Sequence, residues 1–390
     1  MLSEYWNRFQ VPLIAWIESS LGNDLSEKEK EFVRILDLLR LEKYVRGPYA
    51  KHMGRRESDR RSILRGFVAK TFFNYSTTEM LIEALRSQNT LRRLCGFETK
   101  KDVPSASTFS RAYAEFSVDN LGDRIHKAMV SQCITGPVEN ISRDSTRIDA
   151  REKPLLKVVK LKEETKVEGI LELVESETHT EPGEVESPAL QPKYKRGRPR
   201  KGEVRPLKEE TRLKQQLGET PEQSLEQLSY VCNYSRKANS KGHKETWVGW
   251  KAHIDYADGT LPVNVVTTSA SVHDSQLAIP MMRITATRVK STYELMDAAY
   301  DASAIRQACE ELRRVSIIDS NRRTGPEQKM DPDMKQRYKA RSTAERGNSR
   351  LKDEYGFRSL RVRGHAKVHM HLMFGILVLF ADQLFKIHRC

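Results

Sequence analysis

The chain predicts a mixed α/β domain, a sheet flanked by helices, preceded by an all-α domain and interrupted by a charged insertion. Three observations carry that expectation. Apolar residues recur at helical spacing through residues 1–135. Strand-like alternation, a tight turn and short helices succeed one another after residue 227. Between these parts, residues 152–226 are highly charged and poor in aromatic residues, which argues against a packed core there.

Size and charge bound the function. At about 150 residues per domain, 390 residues suggest two to three domains. The formal charge of +14 favours a polyanionic partner, nucleic acid before an acidic membrane surface. The first twenty residues lack the layout of a secretory signal, since Glu4 and Glu18 fall within them. The uncharged apolar run 368–381 is too short to span a bilayer and contains His369 and His371. The five cysteines are scattered and odd in number, without a C-x-x-C pair, so neither a disulfide framework nor a zinc ribbon is expected. The expected setting is a reducing cytoplasm, with no membrane contact.

In the N-terminal part, Ser26-Glu27-Lys28-Glu29 reads as a capping box ahead of Phe32, Ile35, Leu36 and Leu39. Ser76-Thr77-Thr78-Glu79 reads as a second box. Ser105 is placed to cap a short helix whose buried side is Phe109, Tyr113 and Phe116. Its opposite side presents Ser107, Thr108 and Arg111, as the second helix of a helix-turn-helix presents residues to a DNA groove. An ordinary helical bundle with a polar surface helix is the alternative.

The insertion runs acidic over 160–186 and then reverses. Residues 193–202 centre on Arg196-Gly197-Arg198-Pro199-Arg200. This resembles an AT-hook, in which glycine permits close approach to the minor groove and arginines reach along it. A solvated basic linker is the bland reading.

The C-terminal part begins, in effect, upstream of the insertion, where residues 140–148 supply a first strand carrying Asp144. After the insertion come a strand over 248–256, a turn at Ala257-Asp258-Gly259, and a returning strand over 261–267. A helix over 275–288 follows, then a short strand over 292–296 ending at Asp297. A helix over 302–314, a strand over 315–318 and a long polar helix over 332–355 complete the series. That order of elements is the order of a ribonuclease-H-like fold. The domains expected are 1–135 (helical, helix-turn-helix-like), 136–151 (first catalytic strand), 152–226 (charged linker) and 227–390 (the remainder with a C-terminal helix).

Three acids fall at telling places: Asp144 on the first strand, Asp297 at the end of another, and Glu345 on the polar helix. Carboxylates so spread suit two Mg²⁺ ions, Mn²⁺ being a substitute, which activate a nucleophile and stabilise a leaving oxygen in phosphodiester chemistry. Around the third acid, Tyr338, Arg341, Glu345 and Lys352 recur at steps of three, four and seven, which places them on one helix face. Two cations and a phenol beside a metal-binding glutamate suit a phosphate-rich DNA end. The rivals are Asp149, on the opposite strand face, Asp301 as a helix cap, and Asp353 and Glu354 outside the spacing. His273-Asp274 precedes a helix, and Asp274 is expected to cap it.

With Arg143-Asp144-Ser145-Thr146, Met296-Asp297-Ala298-Ala299-Tyr300-Asp301 and Ala344-Glu345-Arg346-Gly347-Asn348-Ser349-Arg350-Leu351-Lys352, the chain resembles the DDE transposases of bacterial insertion sequences. It is most similar to the branch carrying the Y-(2)-R-(3)-E-(6)-K signature. The resemblance implies Asp144, Asp297 and Glu345 as the catalytic, metal-binding triad. It implies that Tyr338, Arg341 and Lys352 serve the DNA ends. Partners would be double-stranded DNA, as terminal inverted repeats and target, and a second copy in a homodimer or larger synaptic complex. The chain departs from relatives that carry a β-rich insertion between the second acid and the glutamate, because its extra material follows the first strand. A hairpin intermediate on the DNA is therefore not carried over. Two other readings stay open: a metal-dependent DNA nuclease, and an inactive transposase-derived DNA-binding regulator.

Overall fold

A computed structural model describes residues 13–47, 57–154, 211–238, 243–320 and 330–389. Its organising element is β1 (Val138–Asp149), flanked on one side by β3 (Lys244–Ala257) and on the other by β5 (Ser291–Met296). The order across the sheet is β2 (Asn233–Ala238), β3, β1, β5, β6 (Val315–Ile318), with β4 (Leu261–Ser269) also paired to β3. β1 and β3 run antiparallel with Asp144 opposite Ile254, while β1 and β5 run parallel with Ser142 opposite Leu295. The parallel register brings the end of β5, and so Asp297, level with Asp144. This is the expected ribonuclease-H-like mixed sheet.

Alternation along the strands sends side chains to two different layers. Arg143 and Asp255 point toward the helix Ser275–Arg288, whose Thr285 hydroxyl donates to Asp255 (2.5 Å). Asp144 and Tyr256 point to the other face, where Asn348 of the helix Ser342–Asp353 bonds both. The β3–β4 turn follows from Asp258-Gly259, where Gly259 takes φ +72°, a left-handed conformation cheap only for glycine.

The N-terminal helices form as their caps dictate. Ser26 and Glu29 make the reciprocal capping box of helix Glu27–Leu39. Helix Thr78–Ser87 is capped by Thr77, one residue later than the expected Ser76. Ser105 is the N-cap of helix Ala106–Val118, but its hydroxyl bonds Ser107 and Thr108 rather than a backbone amide. The segment 95–105 separates that helix from Asn89–Leu94, a longer connection than the three to four residues usual in a helix-turn-helix.

The C-terminal helix His365–Arg389 is long and apolar enough to cross a membrane, but 72% of its most apolar stretch is buried inside the protein. It is a core helix. Phe374 stacks on Phe67 of helix Arg60–Phe72 (5.6 Å between centroids), and Tyr113 donates to the Lys367 carbonyl (2.9 Å). On its other side His369 bonds Thr267 of β4 (2.9 Å). Helical region and sheet therefore share one hydrophobic core.

Three expectations are corrected. The linker predicted over 152–226 ends earlier: helices Arg212–Gly218 and Pro221–Glu226 belong to the folded part. Leu213 and Leu217 pack into a core beside Ile279 and Met282, and Arg283 donates to the Gln216, Leu217 and Glu219 carbonyls, closing the first helix's end. β2 was not foreseen, since Asn233–Ala238 is polar and has no apolar alternation. The polar helix expected over 332–355 is broken into Pro332–Tyr338, a 3₁₀ turn Lys339–Arg341, and Ser342–Asp353.

Candidate active site

Asp144 sits in mid-strand on β1, its side chain 21% exposed. One carboxylate oxygen accepts from the Asn348 side-chain amide at 3.0 Å, and the other lies 3.9 Å from the Arg341 guanidinium. Burial pushes its carboxyl up to about 6, with nearby Asp297 pushing the same way and Arg341 opposing. Asp297 follows β5 directly and caps the 3₁₀ turn Ala298–Tyr300, accepting from the Ala299 amide at 2.9 Å. Burial raises its pKa as well. Two partly desolvated carboxylates thus lie close together, Asp297 opposing the ionisation of Asp144 and Asp274 that of Asp297.

Glu345 lies in the first turn of helix Ser342–Asp353 and is 59% exposed. It does not close on the two aspartates; it accepts from Arg341 at 2.6 Å. Arg341 is the hub, reaching Asp144 and Glu345 and lying 5.9 Å from the Tyr338 ring centroid. The tyrosine is half-buried, and burial raises its hydroxyl to about 12. Lys352, two turns beyond Glu345, has a pKa lowered by burial and by nearby Arg358 and Lys237, with Asp144 and Asp149 opposing. Arg341 and Lys352 therefore lie beside Asp144, while Tyr338 and Glu345 flank Arg341, even though a 3₁₀ turn replaces continuous helix.

Asn348 is the contributor the sequence reading gave no role. It is 6% exposed, donates to Asp144, and accepts from the Tyr256 hydroxyl at 3.1 Å. Its signal was its place three residues after Glu345, on the same helix face. Gly347 beside it is dictated by packing. A Cβ there would lie 2.4 Å from Tyr256 Cε1.

Behind Asp144, on the opposite sheet face, Arg143 is fully buried. It donates to Asp255 at 2.7 and 2.8 Å and lies 3.5 Å from Glu294, which Arg314 also binds. Asp274 does not cap its helix as expected. It occupies the N-cap position without a side-chain cap, and its carboxylate instead accepts from Lys251 at 2.9 Å. The helix Ser303–Glu311 is N-capped by Ala302, and Asp301 pairs with Arg306.

Of the remaining DNA-contact candidates, Ser107 and Arg111 are exposed and Thr108 partly so, opposite the buried Phe109, Tyr113 and Phe116. Arg196, Arg198 and Arg200, with the AT-hook-like segment, lie outside the described residues.

Comparison with protein families adds two matches. The model described as a transposase DDE domain matches residues 211–381. A second, described as a transposase domain (DUF772), matches residues 22–115. Neither a curated protein nor a solved structure matches the chain. The first match begins where the described residues resume after the insertion, at helix Arg212–Gly218.

The DDE match implies use of a divalent metal. The donor chemistry of Asp144 and Asp297 fits such an ion, since hard carboxylate oxygens that repel one another gain from a shared dication. Among the described residues no group of three His, Cys, Asp or Glu side chains is assembled to hold a metal. Glu345 is engaged by Arg341 and would have to leave it to join the pair.

Proposed function

We propose that this chain is a DDE transposase of an insertion sequence, which cuts the ends of its element and joins them to target DNA at the site built around Asp144; the two transposase-domain matches support this reading. The observation that carries this reading is Arg341 reaching both Asp144 on β1 and Glu345, with Asp297, just past β5, close enough to act on Asp144. In this reading Asp144, Asp297 and Glu345 hold Mg²⁺, in two sites and replaceable by Mn²⁺. Bound there, such ions would supply activation of the nucleophile and stabilisation of the leaving oxygen of the phosphodiester.

The chain's own residues then have separable tasks. Asn348 fixes the Asp144 carboxylate by donating to it, and Tyr256 fixes Asn348. Arg341 neutralises the acids in the absence of DNA and turns to a substrate phosphate when DNA arrives, releasing Glu345. Tyr338 and Lys352 flank the same phosphates. Water attacks first, at the element's end; the freed 3′-hydroxyl then takes the water's place and attacks target DNA. Pairing of two ends by two or more copies follows from the family's need to act on both.

The test is a joining assay with a pre-cleaved duplex copied from the element's end, a plasmid target and Mg²⁺. Joined products that vanish with Asp144→Asn support the reading. Cleavage without joining would make the protein a nuclease, and binding without either reaction would make it a DNA-binding regulator.

A further inference from the structure

A cavity of about 620 Å³ lies away from the carboxylates, where helices Arg60–Phe72, Thr78–Ser87 and Ala106–Val118 meet the start of the C-terminal helix. Its charged wall is one-sided. Lys70, Arg151, Arg361, Arg363 and Lys367 line it, against Glu79 as the sole carboxylate in the lining. None of the five cations forms an ion pair among the described residues. Such crowding is unfavourable for an empty cavity. Burial and the neighbouring Arg361 bring the Lys70 ammonium down to about 8, so the fold holds a cation there at a cost. An anion entering the cavity would remove that cost.

The position of the cavity says which anion. Arg151 lies just past the end of β1, the strand that carries Asp144. At about 3.3 Å per residue the strand from Asp144 to its end at Asp149 covers about 17 Å, and Arg151, two residues further, lies roughly 20 Å from Asp144. Along a duplex, with about 3.4 Å per phosphate on each strand, that corresponds to about six phosphates. Lys352, near Asp144 and Asp149, lies on the intervening path. On the cavity's far side Ser110 belongs to helix Ala106–Val118, which also presents Ser107 and Arg111.

We propose that this cavity is a phosphate clamp, in which Lys70, Arg151, Arg361, Arg363 and Lys367 grip the backbone of the element-end duplex about six base pairs from the bond being cut. The clamp rests on the transposase reading. It fixes register between the carboxylates and helix Ala106–Val118, and it carries no sequence information itself.

The experiment measures binding of the full chain to a fluorescent element-end duplex and to an unrelated duplex, over a range of salt. Each lost phosphate contact lowers the slope of log affinity against log salt by about 0.9. The double variant Arg361→Gln/Arg363→Gln is expected to lower that slope by about two, weaken both duplexes alike by ten-fold or more, and remove protection of phosphates about six base pairs from the cut. Arg361→Lys/Arg363→Lys, which keeps the charge, should retain the slope and so separates loss of charge from loss of fold. An unchanged slope and affinity in the glutamine variant overturns the clamp. So does heat protection of the wild-type protein by inorganic phosphate that the glutamine variant lacks while duplex binding stays intact, since the site would then serve a free anion. Failure of the wild-type protein to cut or join would remove the transposition reading and leave the binding result standing, so the two fail separately.

Discussion

Replacing Arg143 with methionine tests the layer beneath the site. Arg143, Asp255 and Glu294 have no exposed side-chain surface, and Arg314 has 4%. The four form a set of two cations and two anions with no net charge. Arg143→Met leaves Asp255 with the Thr285 hydroxyl as its side-chain hydrogen-bond donor among the described residues and leaves Arg314 to balance Glu294. Breaking a buried pair in this way costs about 3–5 kcal/mol, since a charge is left in a medium that solvates it poorly. For a protein of this size that corresponds to a fall in Tm of about 5 °C. Arg143→Met/Asp255→Leu removes both charges and restores neutrality, so it should recover more than half of the loss. Thermal melting and urea unfolding of the wild type, the two single variants and the double variant supply the cycle. A loss below about 1 kcal/mol for Arg143→Met, or strictly additive single variants, would refute the argument that the pair is buried and coupled.

Four further outcomes follow from the same geometry. Gly347→Ala drives a Cβ into Tyr256, so a stability loss of about 1–3 kcal/mol is expected in urea unfolding, with slower end cleavage because Tyr256 supports Asn348. Asn348→Ala removes the donor to Asp144; with hydrogen bonds to charged groups contributing about 1.5–3 kcal/mol, cleavage should fall about ten-fold or more while duplex affinity is unchanged. His126 and His253 are buried and His371 partly so, and this desolvation lowers each to about 4 from the ordinary 6.5. The unfolded chain therefore takes up protons that the folded one refuses: stability is full above pH 6.5 and falls as pH drops toward 4, by up to about 3 kcal/mol for each histidine, measured as Tm against pH. Finally, a chelator should abolish cutting and joining, and Mg²⁺ or Mn²⁺ should restore them in a gel assay.

Much of this arrangement was legible in the residues because it is local. The β3–β4 hairpin announces itself through alternation around Asp258-Gly259, and helix Ser275–Arg288 falls where its pattern places it. The approach of Arg341 to Glu345 follows from helical spacing. What could not be read depends on the fold as a whole. β2 is an edge strand of polar residues, held by its pairing with β3 rather than by an apolar face. Helices Arg212–Gly218 and Pro221–Glu226 are too short and polar to stand out, and Arg283, far along the chain, completes them. Asp274 looked like a cap because it precedes a helix, yet Lys251 from β3 claims its carboxylate. Nothing in the sequence pattern assigned Arg143 a role of its own; the pairing of β1 with β3 and its bonds to Asp255 reveal that it faces inward.

The central claim is that Asp144, Asp297 and Glu345 act together in cutting and joining DNA. The most direct measurement compares Asp144→Asn, Asp297→Asn and Glu345→Gln with the wild-type protein, scoring end binding, cleavage and joining on one duplex in Mg²⁺. All three variants are expected to bind the end with near wild-type affinity and neither cut nor join. Cutting or joining retained by any one of them would contradict its place at the reacting phosphate.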